Sequence, residues 1–307
     1  MKIKKRRKKL TIGERIFNVI LYILLAFIII VTLYPLLYVI SASISDPQAV
    51  ASGKMILFPI EPSFESYRLA FEYQDIWIGY ANTILYTFGG TVLQLVATLP
   101  CAYALSRKDL PGRGLLMGFF LLTMYLNGGL IPNYLNVNSF GLVNTRTYML
   151  ISGLVSVYNL IIARTFFANT ISWELQEAAY LDGASTMSVF LRVVLPLSAP
   201  IIVVLGVYYA VAHWNEYFSA MIYLKDRELY PLQVFLREIL TQSSVSAEAM
   251  LAGGYTTEEL EAMEAMSEAA DRMKYAIIVI SSAPMLAVYP KLQKYFQKGT
   301  MIGSVKG

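Results

Sequence analysis

Apolar stretches with few or no charges alternate with polar segments along this chain. Residues 16–40 form a first stretch of 25 residues without a charge, long enough to cross about 30 Å of hydrocarbon as a tilted helix. Five more apolar stretches follow, at about 79–105, 115–131, 147–168, 196–223 and 275–296, the last three with Arg164, Glu216 and Lys291 with Lys294 inside them, and predict further helices that cross a bilayer. Thr11-Ile12-Gly13-Glu14 has capping-box spacing just ahead of the first stretch. Pro35 is tolerable within it, because neighbouring helices can satisfy the freed carbonyl. Ser41-Ala42-Ser43 imitates a signal-peptidase site, but a signal peptide carries an apolar region of only about 7–15 residues, so the stretch reads as a span that is retained.

Six crossings place both termini on one side. On that side stand seventeen Lys and Arg, seven of them within residues 2–9, against eight on the other. The positive-inside bias therefore puts both termini in the cytoplasm. Asp and Glu fall the other way, five against sixteen. The chain divides into a basic tail (1–15), a first helix (16–40), an outer loop (41–78), a five-helix core (79–296) and a cytoplasmic tail (297–307). Further outer loops lie at 132–146 and 224–274, and a short inner turn lies at 107–113. The loop 224–274 is too long for a mere connector. Within it Thr256-x-x-Glu259 has capping-box form, and Leu260, Met263, Met266, Ala270 and Met273 recur at helical spacing opposite a Glu-rich face. An amphipathic helix leading into the last span is expected there.

Composition agrees with a bilayer as solvent: 56% of residues are hydrophobic and 15% charged, too apolar for an ordinary soluble domain of this length. It also removes whole classes of chemistry. Cys101 is the single cysteine and His213 the single histidine, so neither a disulfide framework nor a Cys- or His-based metal cluster is available within one chain. No G-x-x-x-x-G-K-[ST] loop occurs. The spans carry almost no carboxylates, which disfavours proton or sodium coupling. Gln94, Asn127, Asn159 and His213 are the main polar side chains at depth. Asn127-Gly128-Gly129 ahead of Pro132 predicts a distorted third span that faces protein or a water-filled cavity. Gly114 and Gly118 form a small-xxx-small pair suited to close helix approach.

Two features carry candidate function. The first is the aromatic run that ends the fifth span, Tyr208, Tyr209, Trp214, Asn215, Glu216 and Tyr217. Rings beside an amide and a carboxylate suit a sugar, whose C–H faces stack while its hydroxyls hydrogen-bond. An aromatic belt at the outer interface fits the same residues equally well. The second is the island between the fourth and fifth spans, at 172–195. Ser172 is placed to cap a helix with Glu174 in its first turn. That helix should break near Gly183, and a second should run from Ser185 to Arg192, set off from the fifth span by Pro196. The product is a compact knob on the cytoplasmic face whose exposed Glu177 could meet a basic partner. Composition alone leaves a solvated connector equally open.

The island is specific in its residues. Glu177-Ala178-Ala179, then Asp182-Gly183-Ala184, then Val193 and Leu195-Pro196 resemble the EAA loop of binding-protein-dependent ABC importer permeases, with Val193 where that family usually has Ile. The Trp214-Asn215-Glu216-Tyr217 run and the terminal Gly303-Ser304-Val305-Lys306-Gly307 are similar to the sugar branch of maltose-type permeases, nearest its subgroup for complex oligosaccharides. The resemblance spans all six apolar stretches. It implies an all-α polytopic membrane protein of the bacterial cell membrane, with the six-helix type I importer permease fold. Such a chain is a transport subunit and not an enzyme. Glu177, Ala178, Ala179, Asp182, Gly183, Ala184, Leu195 and Pro196 would couple it to a cytoplasmic ATPase dimer, and Gly303, Val305, Lys306 and Gly307 would reach the same ATPase.

Further partners implied by the resemblance are a second, different permease and an extracytoplasmic sugar-binding protein that the long outer loop approaches; no nucleic acid is implied. The implied cofactors, ATP and Mg, would sit on the ATPase, with none on this chain. Tyr208, Tyr209, Trp214, Asn215, Glu216, Tyr217 and Asn127 are the candidate substrate path. The competing reading is a secondary, ion-coupled sugar carrier, which would show inverted repeats and ion-coupling residues at mid-membrane.

Overall fold

The computed structural model describes residues 11–241 and 257–303. Every regular element among them is helical. The basic cluster 2–9, the cap residue Thr256 and the tail residues Val305, Lys306 and Gly307 lie outside the described residues. The chain divides into two compact units, one built from 1–70 and 242–279 and the other from 71–241 and 280–307.

In the first unit, α1 (Ile12–Ser43) starts as its sequence requires. Thr11 accepts from the Glu14 backbone N–H, and the Glu14 carboxylate accepts from the Thr11 backbone N–H at 2.7 Å. The helix is apolar on all sides and little of it is covered, with Phe17 65% and Ile30 66% exposed. Such a helix needs lipid or a partner around it. Asp46 caps the short α2 (Pro47–Ala51), and Pro47 fills its first turn, where no N–H is needed. Ala42, Val50 and Met55 are buried against Tyr38, Ile60 and Tyr275. The Ser43 hydroxyl meets Tyr67 of α3 (Glu65–Glu72) at 2.8 Å. The region expected as one outer loop, 41–78, is thus largely helical.

The second unit is organised around α4 (Gln74–Ser106), which runs 33 residues with Pro100 inside it. α5 (Arg113–Tyr125) and α6 (Leu130–Ser139) follow, bent by 117°. The distortion expected at the third apolar stretch is therefore a full break: Asn127 Oδ1 accepts from the Gly129 N–H at 2.9 Å, and Gly129 takes a φ of +85°. The fourth stretch is also divided, into α7 (Arg146–Ile151) and α8 (Val157–Thr170). Its interruption holds Gly153 at φ +63°. The Gln94 amide supports it from α4 by donating to the Gly153 and Ser152 carbonyls at 3.0 and 3.4 Å.

Beyond α8 come α9 (Trp173–Leu181), α10 (Thr186–Val189), one wide π turn (Phe190–Val194), α11 (Leu195–Leu197) and α12 (Ala199–Trp214). The bend between the 186–197 segment and α12 is 81° and falls at Ser198, not at Pro196. Pro196 lies near the end of the continuous helical run 186–197, directly after a π turn that shifts the hydrogen-bond pattern ahead of it. α13 (Phe218–Tyr223), a 3₁₀ turn (Arg227–Leu229) and α14 (232–241) follow. α4 packs on α12, α8 and α7. Ala102, Leu160, Ala163 and Leu205 are wholly buried there, small residues alternating with branched ones as close helix packing in a bilayer requires.

α15 (Thr257–Gly303) is a single helix of 47 residues that contributes to both units. Of the expected apolar stripe, Ala270 is buried and Met273 half-buried; the side chains of Leu260, Met263 and Met266 lie outside the described residues. Among the described residues, α1 and α4 are each long and apolar enough to cross a membrane. The two bent pairs raise that number to four if each is one span.

Candidate functional site

The island at 172–198 forms a knob built from local rules. Ser172 Oγ accepts from the Leu175 N–H and starts α9. One turn on, the Trp173 indole N–H donates to Glu177 Oε1 at 2.5 Å, which fixes the carboxylate at the surface. α9 closes as the Gly183 and Ala184 N–H groups return to the Tyr180 and Ala179 carbonyls at 3.0 Å each. Gly183 turns the chain at φ +82°. A Cβ there would meet nothing within 4 Å, so the demand for glycine is conformational and not steric. Ser185 then caps α10 through the Ser188 N–H.

Burial sorts the knob into two faces. Val189, Phe190 and Val194 anchor it in the core, with Ala179, Ala184 and Leu195 packed against that core. Outward stand Glu177, Ala178, Asp182, Gly183 and Pro196, together with Leu181 at 89% and Met187 at 62% exposure. The outward face thus combines a carboxylate held by Trp173 with large apolar side chains left exposed.

The residue that fastens this knob to α4 escaped the sequence reading. Arg107, in the short turn after α4, donates from Nη1 to the hydroxyls of Tyr103 and Tyr180 and lies over the rings of Tyr103, Trp173 and Tyr180 at 5.8, 5.4 and 5.4 Å. Asp109 grips its other edge through two oxygens, at 2.9 and 2.5 Å. Tyr103 in turn donates to Gln176 at 2.8 Å and stacks on Phe190. The hydrogen bonds from Arg107 hold the Asp109 carboxyl below its usual range. Burial alone would raise the Tyr180 phenol, but hydrogen bonds to Arg107, Thr186 and Tyr103 outweigh it and bring the pKa down.

A cavity of about 260 Å³ opens among α4, α7, α8 and α12. Of the candidate path residues, Tyr208, Tyr209 and Glu216 line it; so do Gln94, Asn159 and His213. Tyr209 is tied by its hydroxyl to Thr98 at 2.7 Å. The remaining candidates lie elsewhere. Trp214 is buried with its indole N–H on the Ser281 carbonyl at 3.0 Å. Asn215 turns back to Val211, Tyr217 sits under Arg237, and Asn127 occupies the α5–α6 break. Gly303 ends α15. No group of three or more His, Cys, Asp or Glu able to hold a metal occurs among the described residues.

Long apolar helices, an outward-facing knob and a cavity among the helices fit a membrane transport subunit. The comparisons with known proteins sharpen that class. The chain is 36% identical over 294 residues to the polygalacturonan/rhamnogalacturonan transport system permease protein YtcP of Bacillus subtilis, covering 96% of this chain and 99% of that one. Protein LplC of the same organism is 36% identical over 297 residues, 97% of each. Among solved structures, a chain of a bacterial ABC transporter involved in the import of the acidic polysaccharide alginate matches with a TM-score of 0.82 at 34% identity, over 94% of this chain and 99% of that one. No family model matches. The chain belongs to the permease subunits of sugar ABC importers. It is a transport subunit of the cell membrane and not an enzyme. That membership removes the ion-coupled carrier as a reading.

Proposed function

We propose that this permease forms half of the translocation pathway for a carbohydrate, an oligosaccharide, delivered by an extracytoplasmic binding protein to an ATP-driven importer. A second, different permease completes the pathway. The knob docks on a cytoplasmic ATPase dimer that carries the ATP and Mg, and this chain binds neither. The topology is the six-crossing type I arrangement with both termini cytoplasmic, the loop 224–274 facing the binding protein, and Gly303 to Gly307 reaching toward the ATPase.

The observation that carries the coupling role is the knob itself. Its two helices turn at a left-handed Gly183, its carboxylate is fixed by Trp173, and its outward apolar side chains stand exposed among the described residues. ATP binding closes the ATPase pair, the knob moves with it, and the spans exchange inward- and outward-facing states; the loaded binding protein favours the state that ATP favours. No bond in the sugar changes.

The experiment is sugar-stimulated ATP hydrolysis by the whole complex in proteoliposomes. Glu177→Lys reverses the charge offered to the ATPase, and Gly183→Asp puts a side chain into a conformation that costs about 1–2 kcal/mol. Both should assemble and lose stimulation. Normal stimulated hydrolysis in both would sink the coupling role.

A further inference from the structure

The break between α5 and α6 exposes polar groups where a bilayer cannot solvate them. Arg113 opens α5, and its charge holds that end at a membrane surface. The 13 residues of α5 then rise only about 20 Å of the roughly 30 Å hydrocarbon thickness. The non-helical residues 126–129 that follow therefore stand at membrane depth, and all of them are exposed. α6 is bent back by 117° and does not complete the crossing. Asn133 stays at the level of the break, since its amide donates to Asn127 Oδ1 at 3.4 Å. Irregular backbone does not face lipid within the hydrocarbon; protein covers it or water fills the space before it.

The flanks of α6 differ in chemistry. Tyr134 and Val137 pack inward, with the Tyr134 ring stacked on Tyr223 at 5.8 Å. Ile131 and Leu135, 72% and 60% exposed, present hydrocarbon outward. At about 100° per residue, Asn133, Asn136 and Phe140 fall together on a further flank, and all three are exposed. From these observations we infer that this flank, continued by Asn127, lines the water-filled translocation pathway and binds pyranose hydroxyls of the passing glycan. The amides offer donors and acceptors to the hydroxyls, and the Phe140 ring offers a face to the C–H side. Close helix contact in a bilayer draws on small residues, and positions 133, 136 and 140 carry none, so water and glycan suit this flank better than a second helix. Between Arg113 and Arg146 the sequence has no Asp, Glu, Lys or Arg. The row therefore has no cation to prefer a uronate and no carboxylate to reject one, and it takes neutral and acidic glycans alike. The inference rests on the permease reading and adds to it the residues that touch the sugar.

Thiol labelling in the assembled transporter, in nanodiscs, tests this. In a Cys101→Ser background, which removes the single native thiol, Asn136→Cys and Ile131→Cys are each treated with a trimethylammonium methanethiosulfonate, which reaches thiols through water. Ile131 lies about 140° around α6 from Asn136. Asn136→Cys should react faster by about tenfold for each unit that lipid adds to the Ile131→Cys thiol pKa. Asn133→Cys serves as a second position should Asn136→Cys fail to assemble. Galactotriose and trigalacturonate, each at twice its Kd, leave about a third of sites free, so either should slow labelling about threefold. Adding Asn133→Asp places a carboxylate in the row and should cancel protection by trigalacturonate while keeping that by galactotriose. Equal rates at positions 136 and 131 overturn the pathway lining. Failure of both sugars to protect, or undiminished trigalacturonate protection beside Asn133→Asp, overturns the sugar contact, and protection by one sugar alone overturns the indifference to charge. Labelling is read apart from uptake. Absence of ATP-driven uptake of both sugars by the unsubstituted complex would therefore sink the permease reading and leave the labelling result to decide the contact.

Discussion

Replacing Arg107 by alanine should loosen the knob from α4 without touching any residue on its outward face. The guanidinium is 14% exposed. It makes hydrogen bonds to two tyrosine hydroxyls, each worth about 1.5 kcal/mol for a charged donor. Cation–π contact with the rings around it adds about 0.5–1 kcal/mol, counted once because they share one cation. The Asp109 pair adds little, since that carboxylate is half exposed and screened. Roughly 3 kcal/mol of attachment is at stake, and Arg107→Ala leaves the Tyr103 hydroxyl to Gln176 and Tyr180.

Hydrogen exchange of the 173–184 amides in the assembled transporter reads that attachment directly. With 1.4 kcal/mol per factor of ten, protection in α9 should fall about a hundredfold, while that of α8 changes little. Sugar-stimulated ATP hydrolysis should fall with it. Tyr180→Phe keeps the ring but loses the hydroxyl's hydrogen bonds to Arg107, Thr186 and Tyr103, so it should lose part of the protection that alanine loses. Arg107→Lys should lie between alanine and the native residue, because an ammonium cannot fork between two hydroxyls and a carboxylate. Unchanged exchange in α9 of the alanine variant would refute the reasoning outright.

Gly79→Ala should lower the melting temperature, because the new Cβ would stand 2.9 Å from the Leu232 Cα and 2.8 Å from the Phe235 ring; backbone cannot step aside, and overpacking of this kind costs about 1–3 kcal/mol. A melting temperature equal to that of the native chain would contradict it. Asn144→Ala should cost about 2 kcal/mol: the Asn144 side chain accepts from the Lys225 and Asp226 N–H groups at 2.9 and 3.0 Å, and its own φ of +61° suits asparagine better than alanine. Faster limited proteolysis at 224–229 is the readout, and unchanged cleavage counts against it. Tyr86→Phe removes the hydroxyl that donates to the Leu229 carbonyl at 2.9 Å and should destabilise the same segment by about 1 kcal/mol, measurable as a lower unfolding midpoint in the same detergent.

Signals confined to a few residues were readable before any coordinates existed. Thr11 with Glu14, Ser172 as a cap and Gly183 as a break each depend on chemistry within one helical turn. The distortion at Asn127-Gly128-Gly129 was visible too, but not its size of 117°. Pro196 drew attention as a breaker because proline is disruptive inside helices. The actual bend falls two residues later, at Ser198, because the π turn ahead of Pro196 carries the helix through it.

Contacts distant in sequence were not readable. Arg107 meets Tyr180 across 73 positions, and nothing in the turn 107–113 distinguishes that arginine from a positive-inside charge. The aromatic run at 208–217 was read as one surface, yet a helix distributes it. Tyr208 and Ala212 share the cavity, Trp214 turns toward Ser281, and Tyr217 meets Arg237.

The uncovered wall of α1 separates two quantities that are easily confused. Its apolar side chains leave water when the helix inserts, before any tertiary contact forms, and lipid solvates them as well as protein would. Trimming one, as in Ile30→Ala, should therefore weaken partition into the bilayer by about 0.5 kcal/mol and leave the free energy of helix association unchanged. For α4, whose buried residues face α8 and α12, the same trimming should weaken both partition and helix association.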